Sequence, residues 1–187
     1  MTCHHVLAER CGSLFCPDPP NRAAYGDYAN GFPDAALIQL QSGCFVDPGQ
    51  ERRPIACATA ADRERAIAGK LSVVKSPDSG YSRGQILHVV QGVSTDDHGF
   101  SRGPHLQIIP HRTRRFGMDW PPGRHPFSRT GHSGSWVSDE SSSVWYGMIS
   151  SGIESAEISY ALEASYLLDL MSLQLRLRQP LETYRLT

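Results

Sequence analysis

The chain has 187 residues, a formal net charge of −1 and a mean hydropathy of −0.35. That length suits one domain, or two small halves that share a core. The near-neutral charge excludes a global attraction to nucleic acid or to an anionic membrane surface, and no apolar run reaches the roughly 18 residues that a membrane-spanning helix needs.

The N-terminus reads Met1-Thr2-Cys3-His4-His5. It has neither a basic n-region nor an apolar h-region, so no secretory signal is expected. The five cysteines are Cys3, Cys11, Cys16, Cys44 and Cys57. An odd count excludes complete intramolecular pairing and points to reduced thiols and an intracellular setting; one bridge within residues 3–16 stays open.

Short apolar runs predict strands at 35–40, 71–74, 85–93, 106–109, 135–137 and 144–149. Turn clusters separate them, among them Asp47-Pro48-Gly49, Ser76-Pro77-Asp78-Ser79-Gly80 and Pro121-Pro122-Gly123. Many short strands with such punctuation indicate an all-β barrel or sandwich. Residues 60–68 read as a short helical turn. The one extended helix is predicted over 162–177, where Leu162, Tyr166, Leu170 and Leu173 share a face that Leu167, Leu168 and Met171 widen. Pro180 stops it.

The most informative local run is Thr130-Gly131-His132-Ser133-Gly134-Ser135-Trp136-Val137. A serine hydroxyl that attacks a carbonyl must sit on a tight turn whose backbone N–H groups face the developing oxyanion. Gly131 permits the required backbone geometry, so the N–H groups of Gly131 and Ser133 are the expected oxyanion hole. The α/β-hydrolase elbow Gly-x-Ser-x-Gly needs a histidine after the serine. Here the last histidine is His132, and Ser135 replaces the second glycine. The remaining chain order is His, Asp, Ser.

Upstream, Thr2-Cys3-His4-His5-Val6-Leu7 resembles the Thr-Ala-Ala-His-Cys segment of trypsin-like serine proteases, with His5 at the catalytic position. Asp34-Ala35-Ala36-Leu37-Ile38-Gln39-Leu40 resembles the family's Asp-Ile-Ala-Leu-Leu-x-Leu strand, which opens with the catalytic acid. His4 and Asp27 are the rivals; neighbours on a strand face opposite sides, so only one of His4 and His5 can face the cleft. The resemblance implies a serine endopeptidase with His5, Asp34 and Ser133 as its triad and no cofactor. His5 accepts the Ser133 proton and Asp34 orients the imidazole.

Residues 73–86, Val-Val-Lys-Ser-Pro-Asp-Ser-Gly-Tyr-Ser-Arg-Gly-Gln-Ile, resemble a hairpin of small family members, with Pro77 at a place where glycine is usual. Tyr146-Gly147-Met148-Ile149-Ser150-Ser151-Gly152 resembles the strand that walls the primary specificity pocket. By that resemblance Ser150, Ser151 and Gly152 pair with substrate backbone, Ile158 narrows the pocket from the next strand, and Phe127 takes the pocket-floor position. An acid is lacking at 127, which implies a small or apolar P1 residue rather than Arg or Lys. The implied fold is a chymotrypsin-like double β-barrel with a C-terminal α-helix. It forms one peptidase domain over 1–187: a partial first barrel at 1–68, a second barrel at 69–161 and the helix at 162–177. The implied partners are protein or peptide substrates, with no nucleic acid and no membrane.

Two departures qualify the resemblance. His132 stands where the family has an aspartate that pairs with a buried cation and orders the oxyanion loop. The residue types leave it a hydrogen bond to a carboxylate, or a cationic contact at low pH. Only four residues precede His5, so strands of the first barrel are expected from an upstream segment or another chain. Both departures motivate an alternative, a catalytically inactive protease-like domain that binds a protein partner. Cys3, His4, His5, Cys11 and Cys16 match no zinc-finger spacing, so no metal site is assigned. The stretch 111–129 is rich in arginine (Arg112, Arg114, Arg115, Arg124 and Arg129) and reads as a solvated loop.

Overall fold

The computed structural model describes residues 21–25, 36–39, 52–76, 83–95, 99–115, 118–120, 126–174 and 184–186. In chain order the elements are β1 (Asn21–Tyr25), β2 (Ala36–Gln39), β3 (Arg52–Pro54), β4 (Ala56–Cys57), α1 (Ala60–Ala68), β5 (Ser72–Ser76), β6 (Arg83–Thr95) and β7 (Gly99–Pro110). There follow β8 (Thr113–Arg115), β9 (Met118–Trp120), β10 (Trp136–Asp139), β11 (Val144–Ile153), β12 (Ile158–Glu163), α2 (Ala164–Gln174) and β13 (Tyr184–Leu186). The chain is thus mostly β with a C-terminal helix.

Strand alternation explains how the main sheet closes. β5 pairs with β6, β6 with β7, β7 with β12, β12 with β11, β11 with β10, and β10 returns to β5, every pairing antiparallel. The result is a closed six-stranded barrel. Each strand sends an apolar side chain inward: Val73, Ile86, Ile108, Val137, Ile149 and Ala161 form one buried cluster. Among the described residues no helix is long and apolar enough to cross a membrane.

A second cluster lies on the outer face. Trp145 and Met148 from β11, and Leu162 from β12, pack against Ala164, Leu167 and Met171 of α2. Trp136 stacks on Trp145 at 4.4 Å between ring centroids and 20° between planes. Such a stack contributes about 1 kcal/mol beyond its buried area. The Trp145 indole N–H donates to the Gly147 carbonyl at 2.7 Å, which satisfies its polar group in the core.

Two helix expectations change. Residues 60–68 form a full helix, started by a capping box in which Thr59 and Asp62 exchange side-chain to backbone bonds. The C-terminal helix begins at Ala164, not 162, because Leu162 and Glu163 are held in the β12 ladder opposite Met148 and Gly147. Leu162 shares burial with the helix, which is why it fits the helical period. The buried helical face is Ala164, Leu167 and Met171, whereas Leu173 is 76% exposed. Residues 175–177 lie outside the described residues.

Within the 111–129 stretch, β8 and β9 pair as a short hairpin where a loop is expected from composition. Of residues 1–68, where the partial first barrel is expected, the structure describes the β1–β2 hairpin, β3 paired with β13, β4 running parallel to β11, and α1. The rest of that stretch lies outside the described residues.

Candidate active site

The segment 127–135 leads into β10, and hydrogen bonds fix it at three places to β12, to the turn after β11 and to β11 itself. At its start, the N–H and hydroxyl of Ser128 both donate to Ser159 Oγ, at 3.1 and 2.7 Å, in a buried site. In its middle, the N–H and hydroxyl of Thr130 both donate to the Glu154 carboxylate, at 2.8 and 3.1 Å. At its end, the Gly134 N–H donates to the Ile149 carbonyl at 2.8 Å and the Ile149 N–H to the Ser135 carbonyl at 2.9 Å.

Between these ties lie two consecutive turns. The His132 N–H donates to the Arg129 carbonyl at 3.0 Å, and the Ser135 N–H to the His132 carbonyl at 3.1 Å. Gly131 and Gly134 are the third residues of these turns, with φ of +89° and +88°. A left-handed third residue is the mark of a type II turn and explains the glycine at each place. Ser133 is the second residue of the second turn and is half-buried.

The turns sort the backbone donors. The N–H groups of Thr130, His132, Gly134 and Ser135 are all engaged. Among the described residues, those of Gly131 and Ser133 have no hydrogen-bond partner. They flank one tied N–H, and a Cβ placed at Gly131 meets nothing within 4 Å.

Among the described residues His132 bonds to backbone and not to a carboxylate. Its Nδ1 accepts the Arg129 N–H at 3.1 Å. That bond requires a neutral ring with its proton on Nε2. Burial, then the charges of Lys75 and Arg129, hold its pKa below the usual histidine value, against an opposing pull from Glu154. Glu154 in turn is held below the usual glutamate value, first by the two Thr130 hydrogen bonds.

The predicted pocket strands come together beside this turn. Ser150 is the extra residue of a β-bulge, since Ile149 opposes Ala161 and Ser151 opposes Tyr160. Its buried hydroxyl donates to the Tyr160 carbonyl at 3.3 Å. Bulges of this kind commonly re-aim a strand next to a site. Among the described residues, 150–153 has no strand partner on the edge opposite β12. Gly152 faces Ser159, and a Cβ there would lie 2.9 Å from the Ile158 carbonyl oxygen and 3.5 Å from Ser128 Oγ. Ile158 is half-buried opposite Ile153.

Phe127 is only 1% exposed and lies in the barrel interior. Its ring sits so close to Gly84 that a Cβ on that glycine would come within 2.6 Å of it. His5 and Asp34 lie outside the described residues, as do the rivals His4 and Asp27 and the cysteines at 3, 11, 16 and 44. Cys57 is a free thiol whose pKa is raised to about 11, chiefly by burial.

The ties from Glu154 to Thr130 and from Ser159 to Ser128 carry no local signal in the amino-acid sequence. Both pair residues far apart in the chain, and nothing local marks Glu154 or Ser159 as partners.

The comparisons with known proteins returned nothing: the chain matches no protein-family model, no curated protein and no solved structure.

Proposed function

We propose that this chain is a serine endopeptidase of the chymotrypsin-like class, or the greater part of one. In this reading Ser133 Oγ attacks the scissile carbonyl carbon while the His5 imidazole takes the hydroxyl proton. Asp34 orients that imidazole and balances its charge. The C–N bond then breaks as the imidazole proton passes to the leaving amine, giving an acyl-enzyme that water hydrolyses by the same route. The N–H groups of Gly131 and Ser133 hold the carbonyl oxygen as it gains negative charge.

One observation carries the reading: a serine on a glycine-built turn, with its own N–H and that of Gly131 without partners among the described residues. The unpaired edge at 150–153 beside that turn supports an extended peptide as substrate, docked by strand addition. The double-barrel architecture belongs to this proposal; the closed barrel of β5–β7 and β10–β12 is its second half.

The experiment is hydrolysis of a mixed peptide library by the full chain and by Ser133→Ala, His5→Ala and Asp34→Asn. Cleavage by the parent that each variant loses by at least about a hundredfold supports the triad. Cleavage undiminished in Ser133→Ala excludes it. One specific observation favours the second reading, a protease-like domain that binds without hydrolysis: residue 132 is a histidine engaged with Arg129 instead of an acid. Retained binding of extended peptides by a parent chain that cleaves none would select it.

A further inference from the structure

We propose that Glu154 is the positioning residue of the oxyanion turn, and that its carboxylate does the ordering work for which residue 132 has no acid. This deepens the endopeptidase reading and rests on it.

One carboxylate oxygen of Glu154 receives both the N–H and the hydroxyl of Thr130. Hydrogen bonds to an ionised acceptor are about twice as strong as neutral ones. Thr130 immediately precedes Gly131, and the tied N–H of His132 immediately follows it. The peptide units before and after Gly131 therefore leave from fixed residues, which leaves the Gly131 N–H little freedom to turn away. A glycine at positive φ with no neighbour around its Cβ position has no packing of its own to hold it. Its orientation must come from the residues on either side.

Glu154 is itself anchored, although its side chain is exposed. It opens a 3-10 turn, Glu154–Ala156, at the end of β11. The Glu157 N–H closes that turn on the Glu154 carbonyl at 3.0 Å, with Glu157 in the left-handed region at φ +56°. The Glu157 carboxylate is bound by the Arg112 guanidinium at 2.5 Å. The hairpin tip is thus tied to the body on one side by Arg112 and to the nucleophile turn on the other by Thr130. Because Glu154 continues directly from 150–153, it links the edge proposed to bind substrate with the turn proposed to bind the oxyanion. A peptide that pairs with that edge would steady the donors that act on its own carbonyl.

The test uses the full chain with Glu154→Ala, Glu154→Gln and Thr130→Val, and two readouts. The first is amide hydrogen exchange across residues 129–135. The second is the rate at which a fluorophosphonate labels Ser133. The stacked Trp136–Trp145 pair gives a near-ultraviolet signal that controls for folding. Expected results are exchange of the Thr130 amide at least tenfold faster in Glu154→Ala, labelling about tenfold slower, and a partial return of both in Glu154→Gln, which keeps a neutral acceptor. Unchanged Thr130 exchange overturns the clamp, and so does faster exchange with an unchanged labelling rate. A parent chain that is never labelled counts against the endopeptidase reading alone; the clamp then stands or falls on the exchange data.

Discussion

Arg129 and His132 bind each other twice. The Arg129 N–H donates to His132 Nδ1 at 3.1 Å, and the His132 N–H donates to the Arg129 carbonyl at 3.0 Å. The residue before the proposed nucleophile is therefore held as a neutral imidazole, in a place where an acid would have been held as an anion.

This relationship makes the turn sensitive to acid. The folded pKa of His132 lies below the ordinary value of about 6.5 because burial and nearby cations disfavour the imidazolium. As pH falls, the unfolded chain takes up this proton first, so the contribution to stability declines from about pH 6.5 down to the lower folded value and then levels off. Protonation in the folded state removes the acceptor at Nδ1. An NMR titration is expected to show the His132 ring and the Arg129 amide moving together, with a midpoint below 6.5. A midpoint at or above 6.5 would contradict the geometry.

His105 makes a larger prediction of the same sign. It is fully buried on β7, its Nδ1 lies 2.9 Å from the Gly103 carbonyl oxygen, and burial lowers its pKa to about 4. The neutral form is favoured only in the folded state, so stability falls as pH drops from about 6.5 to about 4 and no further below. The loss over that range is about 3 kcal/mol. Urea unfolding of the parent and of His105→Leu, compared at pH 7 and pH 4, measures it; the variant is expected to show the smaller drop.

Phe127 is expected to behave as core. Its ring fills the barrel interior against Gly84 and Ile108. Phe127→Ala should destabilise the chain by about 3–5 kcal/mol. Gly84→Ala, which pushes a methyl into the same ring, should cost about 1–3 kcal/mol. Chemical denaturation reads both. A Phe127→Ala chain of parental stability with altered P1 preference would instead place the ring in an open specificity pocket.

Gly131→Ala separates backbone strain from packing. No atom lies near the new methyl, so the cost of about 1–2 kcal/mol comes from φ of +89° alone. If the turn relieves that strain by rotating the Gly131 N–H away, fluorophosphonate labelling of Ser133 falls as well. An unchanged labelling rate in a variant whose residue-131 amide resonance has shifted would remove this N–H from the oxyanion hole.

What the sequence made legible follows from how local each signal is. The strands of the barrel announce themselves because side chains such as Val73, Ile86 and Val137 alternate inward, and the turns around Ser133 because each needs a glycine at a fixed place. β7 runs from Gly99, well before its predicted start, because Gly103 and Pro104 sit at an irregularity of the ladder, where breakers are tolerated. There Tyr166 of α2 lies directly over Gly103. The helix start at Ala164 was hidden because Leu162 is buried by the same cluster as the helix. The Thr130–Glu154 tie was invisible because only the β11–β12 hairpin brings the two together.

The central claim is that Ser133 is the nucleophile. The most direct measurement is peptide mapping by mass spectrometry after the full chain reacts with a fluorophosphonate. A phosphonyl adduct on Ser133 and on no other serine, abolished in Ser133→Ala, is the predicted result. An unmodified Ser133 peptide under conditions that saturate a known serine protease would contradict it.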